Sequence, residues 1–395
     1  LVAEFERIIG WSGQNMDYPH AMGVAADGTF YSLHGKNLSG HRRTRLITAY
    51  DAGGKYLRQV FPSPGALPPE ERQGWPHVKL GDGSEVPVVH HVLTRCVHPG
   101  AFFGDGDVSN LSVTPDGKRV IAVGGAYKDK SHIKRGDVRG GRRLLIFNTD
   151  GTVPERPLGP VVVSETTGGK AFLAISPDGK HAYVCGFGSK KAADNSVYRV
   201  EIDGDAKAEP FISGKGGKGA LKAPRGVAVD GKGNVYVADS GNSRVAVFKA
   251  SGEFLAEIPA GGAPQDLAVS RRTGAVYARI GQKLVKFGGL KRPEKVAECD
   301  FPRPPYKSSR KPACVMALDD SGDAPALYLR SLVWIKSGFG KYVDRGTSLE
   351  PVGDPIREKL AKDEPGLPFV NQVAVVSGRL LTAMPRVPDC NSKYA

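Results

Sequence analysis

APRGVAVDGKGNVYVADSGNSRVAVFKASGEFLAEI, residues 223–258, is the stretch of the chain with the clearest structural pattern. Four runs rich in Val, Phe and Tyr are separated by short segments of Gly, Asp, Asn and Ser: GVAV, NVYVA, RVAVF and FLAEI. β-Branched and aromatic runs of this length between such turn residues are typical of short strands joined by tight turns. The stretch therefore predicts a four-stranded antiparallel sheet, which is too small to be stable alone.

The first half of this unit recurs along the chain. Aligned on the first apolar residue, seven copies stand at Val24, Leu111, Leu173, Val227, Leu267, Met316 and Val373. The spacings between them are 87, 62, 54, 40, 49 and 57 residues. A core period near 40 residues with loop insertions predicts an all-β chain folded as a β-propeller with one blade per copy. Seven blades is the simplest count, and six is the alternative if the copy at Gln372 belongs to a closing blade that is divided differently.

The two ends of the chain are expected to meet in the last blade. Only eleven residues follow Met384, which is too few for two more full strands. The N-terminal segment VAEFERIIG, residues 2–10, is similar to the outer-strand segment GEFLAEIP, residues 252–259. We therefore predict that the N-terminal strand completes the last blade and closes the ring, which removes exposed sheet edges.

Residues 223–258 also resemble an NHL repeat, through the pattern xPxGVAVD…GNVYVAD…NSRVxVF. The resemblance implies a propeller of six or seven blades. NHL-like propellers include pure binding modules and several enzymes, among them amidating lyases, lactonase-like proteins and streptogramin lyases. Because one fold serves all these functions, the resemblance alone does not choose between binding and catalysis.

Composition agrees with one turn-rich domain over residues 1–395. Gly and Pro number 51 and 29, which excludes a helical bundle, while 40% hydrophobic residues suffice for a core. Two segments interrupt the repeats: an insertion over 62–108, expected on the top face, and a decorated connection over 345–368. The chain has neither a C-x-x-C motif nor an apolar run of 18 residues, so zinc-ribbon sites and membrane spans are not expected. It begins at Leu1 rather than Met, and with this propeller type we expect a secreted or periplasmic protein.

Propeller topology assigns each loop to one of two rims. We call "top" the rim that carries the loop entering the first strand and the loop between the second and third strands of each blade. The turn between the first and second strands is then at the bottom. Asp-Gly pairs at 27–28, 116–117, 178–179 and 230–231 fall at these bottom turns. We interpret them as hairpin turns with positive φ at both central residues, rather than as calcium ligands.

Histidines and basic residues concentrate at the top. Eight of the nine histidines map there, and only His181 maps to the bottom. The loops around residues 36–45 and 124–143 are strongly basic, so much of the formal net charge of +14 is expected on one rim. Such a rim favours an anionic partner. Nucleic acid is disfavoured, because the basic loops lack the interleaved aromatic residues on which bases stack.

Two functions suit this rim. The first is a lyase acting on an acidic, uronic-acid-containing glycan, in which an arginine neutralises the carboxylate and a His or Tyr removes the adjacent proton. The catalytic candidates are His90, His91, Tyr127 and Arg225. The ligand-binding candidates are Arg42, Arg43, Lys134, Arg135, Arg244 and Trp75. The second is a non-catalytic binding or scaffold propeller within a larger protein or complex, where another protein chain covers the basic loops.

The histidines also have a metal-binding interpretation. His20, His34 and His98 are the candidate ligands, with His90 as a further member, because imidazole suits Zn²⁺. Zn²⁺ or Ca²⁺ is the ion considered, although the spacing in HHVLTRCVHPG matches no recognised metal motif. A structural role for these histidines as hydrogen-bonding residues is the alternative.

Overall fold

The fold is described from a computed structural model of the 395-residue chain. It describes residues 19–38, 42–51, 55–61, 77–79, 85–87, 111–126, 141–151, 161–164, 172–186, 195–204, 208–213, 216–302, 313–333, 336–353, 372–376 and 379–383. These residues form strands joined by turns, with a single turn of 3-10 helix over Ser240–Asn242 within the described ranges. The prediction of an all-β chain is therefore confirmed for this part of the molecule.

Six four-stranded antiparallel sheets contain most of the strands, and each sheet is built from four consecutive strands. Sheet 1 comprises β1 (Pro19–Val24), β2 (Phe30–Leu38), β3 (Arg42–Tyr50) and β4 (Tyr56–Phe61). Sheet 2 comprises β7 (Leu111–Val113), β8 (Arg119–Ala126), β9 (Gly141–Asn148) and β10 (Val161–Ser164). Sheet 3 comprises β11 (Phe172–Ile175), β12 (His181–Cys185), β13 (Val197–Glu201) and β14 (Ala208–Ile212). Sheet 4 comprises β15 (Pro224–Val229), β16 (Val235–Asp239), β17 (Arg244–Phe248) and β18 (Phe254–Pro259). Sheet 5 comprises β19 (Pro264–Val269), β20 (Val276–Ile280), β21 (Lys283–Phe287) and β22 (Lys295–Asp300). Sheet 6 comprises β23 (Ala313–Asp319), β24 (Ala326–Val333), β25 (Lys336–Asp344) and β26 (Leu349–Gly353).

Two further pairs of strands are described. β5 (His77–Lys79) and β6 (Glu85–Pro87) form a short hairpin inside the 62–108 insertion, and β27 (Gln372–Val376) pairs with β28 (Arg379–Ala383). The first two strands of every predicted repeat are thus present. The rest of the insertion, residues 354–368 of the predicted connection and the N-terminal segment 2–10 lie outside the described residues.

The hydrophobic core lies between neighbouring sheets. Strands inside a sheet are covered on both faces by neighbouring sheets, and β16 is buried along its whole length, whereas the outer strand β18 is partly exposed. On sheet 5, Val276 and Ala278 pack towards sheet 4, where they join Val245 and Val247. Tyr277, on the opposite face of the same strand, packs towards sheet 6 in a separate cluster.

The first strands of successive sheets are neighbours. β1 contacts β7, β7 contacts β11, and the series continues through β15, β19 and β23 to β27. β27 in turn contacts β1. Since each first strand starts at the top, the top ends of these strands lie on the same side of the molecule.

The bottom turns follow the predicted positions but not the predicted conformation. Gly28, Gly117 and Gly179 have φ values of 87°, 72° and 73°, whereas the aspartates before them are not left-handed. At the fourth turn it is Gly233, with φ 82°, and not Gly231, that is left-handed. The expectation of positive φ at both central residues was wrong, because each aspartate instead accepts a hydrogen bond from a backbone N–H two residues ahead, as Asp178 does from Lys180 (3.0 Å).

Strand pairing also corrects the alignment of the first repeat. Val24 pairs with Phe30 as Val229 pairs with Val235, and both turns between them have the same hydrogen bonds. Met22, not Val24, is therefore the counterpart of Val227. The error is two residues, which leaves the same side chains on the same faces and so cannot be detected from alternation.

Candidate anion-binding site

Three first strands share an irregularity at their top ends. β1, β15 and β19 each begin with a proline, and a β-bulge follows at once. The extra residue is His20 in β1 and Gln265 in β19, while in β15 Arg225 and Gly226 together oppose Ala238. We call these bulged residues, His20, Arg225–Gly226 and Gln265, the bulge row.

Proline and the bulge have related effects on the strand. Proline has no N–H to donate, so it stands where the ladder begins. A bulge leaves one residue unpaired and redirects its side chain, and bulges are common next to functional sites. The bulge row therefore places one residue of sheet 1, two of sheet 4 and one of sheet 5 outside the regular ladder, all at the top.

Gly226 allows the neighbouring strand to approach closely. A Cβ at this position would lie 3.1 Å from the Cα of Asp266 in β19 and 3.2 Å from the Cβ of Ala238. Any larger residue would push these strands apart. The glycine thus fixes the top end of β15 directly against β19, with Arg225 beside the contact.

Arg225 is one of the two predicted site residues, with Arg244, whose side chains the structure describes. It is partly exposed, and in the described part of the chain its guanidinium makes neither a hydrogen bond nor an ion pair. An arginine fork with unused donors at a bulge can bind a carboxylate or another oxyanion bidentately. The structure therefore leaves Arg225 free for the role that the sequence predicts.

Asp239 holds the loop that leads to Arg225. Its carboxylate is fully buried and accepts hydrogen bonds from the backbone N–H of Lys222 (2.7 Å), from Asn242 Nδ2 (2.8 Å) and from Arg244 Nε (2.9 Å). Ala223, which follows Lys222 in this loop, has a left-handed φ of 48°. Such a conformation costs free energy in a non-glycine residue and persists only where its surroundings fix it.

Arg244, by contrast, is used within the fold. It donates to Asp239, to Glu257 Oε2 from Nη1 (2.6 Å) and to the carbonyl of Ala220 from Nη2 (2.9 Å), and it lies over the ring of Phe254. Burial lowers the pKa of Arg244, but the hydrogen bonds with Glu257 and Asp239 outweigh it, so the net pKa is raised. These contacts give Arg244 a structural role, and its ligand-binding role stays a prediction.

Arg279 is a buried cation at the top of sheet 5 that the sequence analysis did not single out. It lies in β20 directly opposite Asp266 of β19, one residue before the end of the strand at the top. Only 8% of its surface is exposed. Nη1 is 3.4 Å from the carbonyl of Gly281, and Nε has no acceptor in the described part of the structure. The signal was a single cation within the apolar run VYARI.

Of the remaining predicted residues, His20, His34, Arg42 and Arg43 are described by their backbones alone, and the others lie outside the described residues. Pro19 pairs with His34, so the backbones of His20 and His34 are close at the top of sheet 1. Arg42 and Arg43 pair with Leu38 and Asn37 at the same end of β2 and β3. Outside the described residues lie Trp75, His90, His91, His98, Tyr127, Lys134 and Arg135.

The metal site over His20, His34 and His98 stays a prediction, because the structure does not describe these side chains. The side chains that it does describe bear on metal and thiol chemistry elsewhere in the fold. Among these residues, no group of three or more His, Cys, Asp or Glu side chains could hold a metal ion. Burial, with smaller effects of Asp300 and Glu298, raises the pKa of the Cys299 thiol to about 12. Cys299 is therefore not a thiolate nucleophile near neutral pH. Within the same ranges, no helix has the length and apolar character needed to cross a membrane.

Comparison with known proteins agrees with this architecture. Residues 221–248 match the NHL repeat, and this segment includes Arg225, Asp239 and Arg244. The solved structure of RRP9 WD40 repeats matches with a TM-score of 0.51 at 12% identity over 94% of this chain and 88% of that one. The chain has the β-propeller fold.

Two further structures resemble this propeller. U3-55K matches with a TM-score of 0.50 at 12% identity, covering 94% of this chain and 89% of its own. Virginiamycin B lyase from Staphylococcus aureus matches with a TM-score of 0.47 at 15% identity, covering 95% and 94%. No curated protein sequence matches the chain. At such identities the likeness concerns the fold alone, so function has to be argued from the site.

Proposed function

We propose that this propeller has seven blades and binds an anionic ligand at the top ends of its first strands. The blade count is supported by the contacts of β27 with both β23 and β1, which a six-membered ring would not need. In this proposal β27 and β28 are the inner strands of the seventh blade, and residues 2–10 supply its outer strand. The ring then closes without an exposed sheet edge.

A seven-bladed ring sets the bulge row around the mouth of a central channel. Blade 1 lies across the channel from blades 4 and 5, so the His20 position faces the positions of Arg225 and Gln265. Of the three, Arg225 carries the proposal. It combines partial exposure, unused donors in the described structure and a loop fixed by the buried carboxylate of Asp239. The backbone that leads to Arg225 is thus held in place before a ligand arrives, which lowers the entropic cost of binding.

Binding can be tested with acidic sugars. Isothermal titration of the protein with oligogalacturonate should give an affinity that weakens about 10- to 100-fold in Arg225→Met, as expected for loss of a charge-assisted pair. Arg271→Met is the matched control, because Arg271 is an exposed arginine at the bottom turn after β19. Equal affinities in the wild type and Arg225→Met would overturn the proposal, as would an equal loss in Arg271→Met.

A polysaccharide lyase is the second candidate, because Arg225 is free to neutralise a substrate carboxylate. The neutralised carboxylate would acidify the adjacent C–H, and His90, His91 or Tyr127 would remove this proton. The C–H electron pair forms a C=C bond while the neighbouring C–O bond breaks, and the leaving oxygen takes up a proton. Release of unsaturated product, followed by ultraviolet absorbance, tests this candidate. An inert wild type that still binds oligogalacturonate would indicate a binding module or scaffold instead.

We further propose that the protein is secreted or periplasmic and that its partner is an acidic glycan or another anionic ligand. A secreted or periplasmic location would bring the protein to acidic glycans. Detection of the protein in culture medium or periplasmic extract would support this location, and exclusive recovery with the cytoplasm would contradict it.

A further inference from the structure

The segment that leads from sheet 3 into sheet 4 carries three cations and no acid. Residues 216–225, GGKGALKAPR, contain Lys218, Lys222 and Arg225, and we call them the basic segment. The two lysines are exposed and Arg225 is partly exposed. In the described part of the chain, none of the three side chains makes a hydrogen bond or an ion pair. Their charges are therefore available to an anion from outside the chain.

The basic segment extends across sheet 4 from its outer strands to its first strand. Near one end, a Cβ on Gly219 would lie 3.2 Å from the Cβ of Phe254 in β18. At the other end, Arg225 belongs to β15. Three inter-strand spacings of about 4.8 Å, or about 14 Å in all, separate β15 from β18. One carboxylate cannot span this length, so Lys218 and Arg225 cannot both bind the same small acid.

Hydrogen bonds fix the backbone of the basic segment. The carbonyl of Ala220 accepts from Asn242 Nδ2 (3.1 Å) and from Arg244 Nη2 (2.9 Å). The N–H of Ala223 donates to Asn195 Oδ1 (2.7 Å), in the loop before β13 of sheet 3. With the buried carboxylate described above, these contacts order the segment before a ligand arrives, which lowers the entropic cost of binding.

The side chain of Lys222 lies over the top of sheet 4. A Cβ on Gly241 would lie 2.5 Å from the Cγ of Lys222, so the stem of the lysine packs on the turn between β16 and β17. The nearby acids, Asp239 and Glu257, are both hydrogen-bonded to Arg244. With the three cations of the basic segment, these groups make four cations and two carboxylates, a formal charge of +2. The top of sheet 4 thus favours an anion even after its own acids are counted.

We infer that the basic segment binds an acidic oligosaccharide along its length, with one carboxylate at Arg225 and others at Lys222 and Lys218. This inference rests on the proposed function and extends it from one anionic group to a chain of them. Each exposed charge contact contributes little alone, whereas several contacts to one ligand reinforce each other. Nucleic acid suits the segment less well, because GGKGALKAPR has no aromatic residue on which a base could stack.

The test compares a monomer with an oligomer. Galacturonate and hexagalacturonate are titrated into the wild type and the double variant Lys218→Met, Lys222→Met. The wild type should bind the hexamer more than about 10-fold more tightly than the monomer. The double variant should lose about 3- to 10-fold in affinity for the hexamer and stay within about twofold for the monomer, because its lysines lie beyond the reach of a single sugar bound at Arg225.

Two further double variants serve as controls. Lys232→Met with Lys291→Met removes two exposed lysines at bottom turns and should leave both affinities unchanged. Lys218→Arg with Lys222→Arg keeps the charge of the basic segment and should retain the affinity for the hexamer.

The outcomes separate this inference from the proposed function. If the hexamer binds no more tightly than the monomer while Arg225→Met still weakens both, the inference fails and the proposed function stands. An equal loss in the bottom-turn variant, or in the arginine variant, overturns a specific role for the two lysine charges. Tighter binding of hexathymidylate than of hexagalacturonate overturns the assignment to a glycan. If no acidic sugar binds the wild type, both proposals fail together.

Discussion

The seam between sheets 5 and 6 has a lower half and an upper half that treat a buried cation in opposite ways. Below, Lys286 donates to Asp344 and Gly346, while Asp344 also accepts from Tyr277 Oη and from the N–H of Gly346 (2.8 Å). Above, Arg279 Nε has no acceptor among the residues that the structure describes. Both cations lie on one face of one sheet, so the difference reflects their partners and not their depth. The lower half of the seam satisfies its buried cation within the chain, whereas the upper half leaves one buried donor without an acceptor in the described structure.

The largest effect is expected from breaking the lower network. Asp344→Ala leaves the ammonium of Lys286 and the hydroxyl of Tyr277 buried without their acceptor, and we expect a loss of about 3–5 kcal/mol of unfolding free energy. Chemical denaturation measures this loss. The double variant Lys286→Met, Asp344→Leu should recover most of it, because it removes both charges together. A loss below about 1 kcal/mol in the single variant would contradict the structural role.

Asp239, at the top of sheet 4, is a second buried carboxylate that accepts several hydrogen bonds, as Asp344 does. Asp239→Ala removes a shared acceptor from the backbone N–H of Lys222, from Asn242 Nδ2, which keeps the carbonyl of Ala220 (3.1 Å), and from Arg244 Nε, so we expect a loss of about 2–4 kcal/mol in denaturation experiments. The control is Asp203→Ala, whose exposed carboxylate pairs with Arg119 at 2.9 Å. An exposed pair of this kind should contribute less than about 1 kcal/mol. Similar losses in both variants would argue against Asp239 as an organising residue.

Arg225 and Arg244 of sheet 4 allow a comparison between an arginine without side-chain contacts in the described structure and one with several. Arg244→Ala removes three donor contacts and its packing on Phe254, and we expect a loss of about 1–3 kcal/mol. Arg225→Ala should change stability by less than about 0.5 kcal/mol, because its side chain makes no such contacts in the described structure. Parallel thermal melts compare the two. A larger loss in Arg225→Ala would show that the structural and ligand roles are exchanged.

The smallest effect concerns the bottom turns in acid. Hydrogen bonds from Ser176 Oγ and from the N–H of Lys180 lower the pKa of Asp178 below its ordinary value of 3.8. A lowered folded-state pKa contributes stability that is present above pH 3.8 and is lost as the pH falls through the folded-state value. Asp178→Asn should therefore narrow the stability difference between pH 6 and pH 3, by less than about 0.5 kcal/mol because the group is exposed. An unchanged difference would contradict the assignment.

Much of the fold followed from repetition in the sequence. Every predicted copy contains its first two strands, because apolar alternation and turn residues are local signals. The register of the first copy did not follow, since a shift of two residues preserves alternation and only the pairing of Val24 with Phe30 reveals it. The turn conformations differed for a similar reason. Whether an aspartate adopts positive φ or accepts a hydrogen bond from the backbone N–H two residues ahead is decided by competition between two local geometries.

Less of the site could be predicted. Arg225 and Arg244 are equivalent in the sequence, because both fall near top loops of one repeat. They differ only in partners, and those of Arg244 lie 5, 13 and 24 residues away in the chain. Arg279 was missed because it occupies a strand rather than a loop, and its burial depends on packing between sheets. The sequence predicted basic residues on one rim, whereas only the hydrogen bonds of the described structure distinguish Arg225 from Arg244.

The prolines that open β1, β15 and β19 also bear on how specificity could be changed. The residue that follows each one lies where the backbone ladder is interrupted, so strand formation places little demand on its identity, and His, Arg and Gln all occur there. We therefore expect positions 20, 225 and 265 to accept different side chains without a change in the surrounding strands. A combinatorial library at these three codons would vary ligand preference while most members kept wild-type expression and melting behaviour.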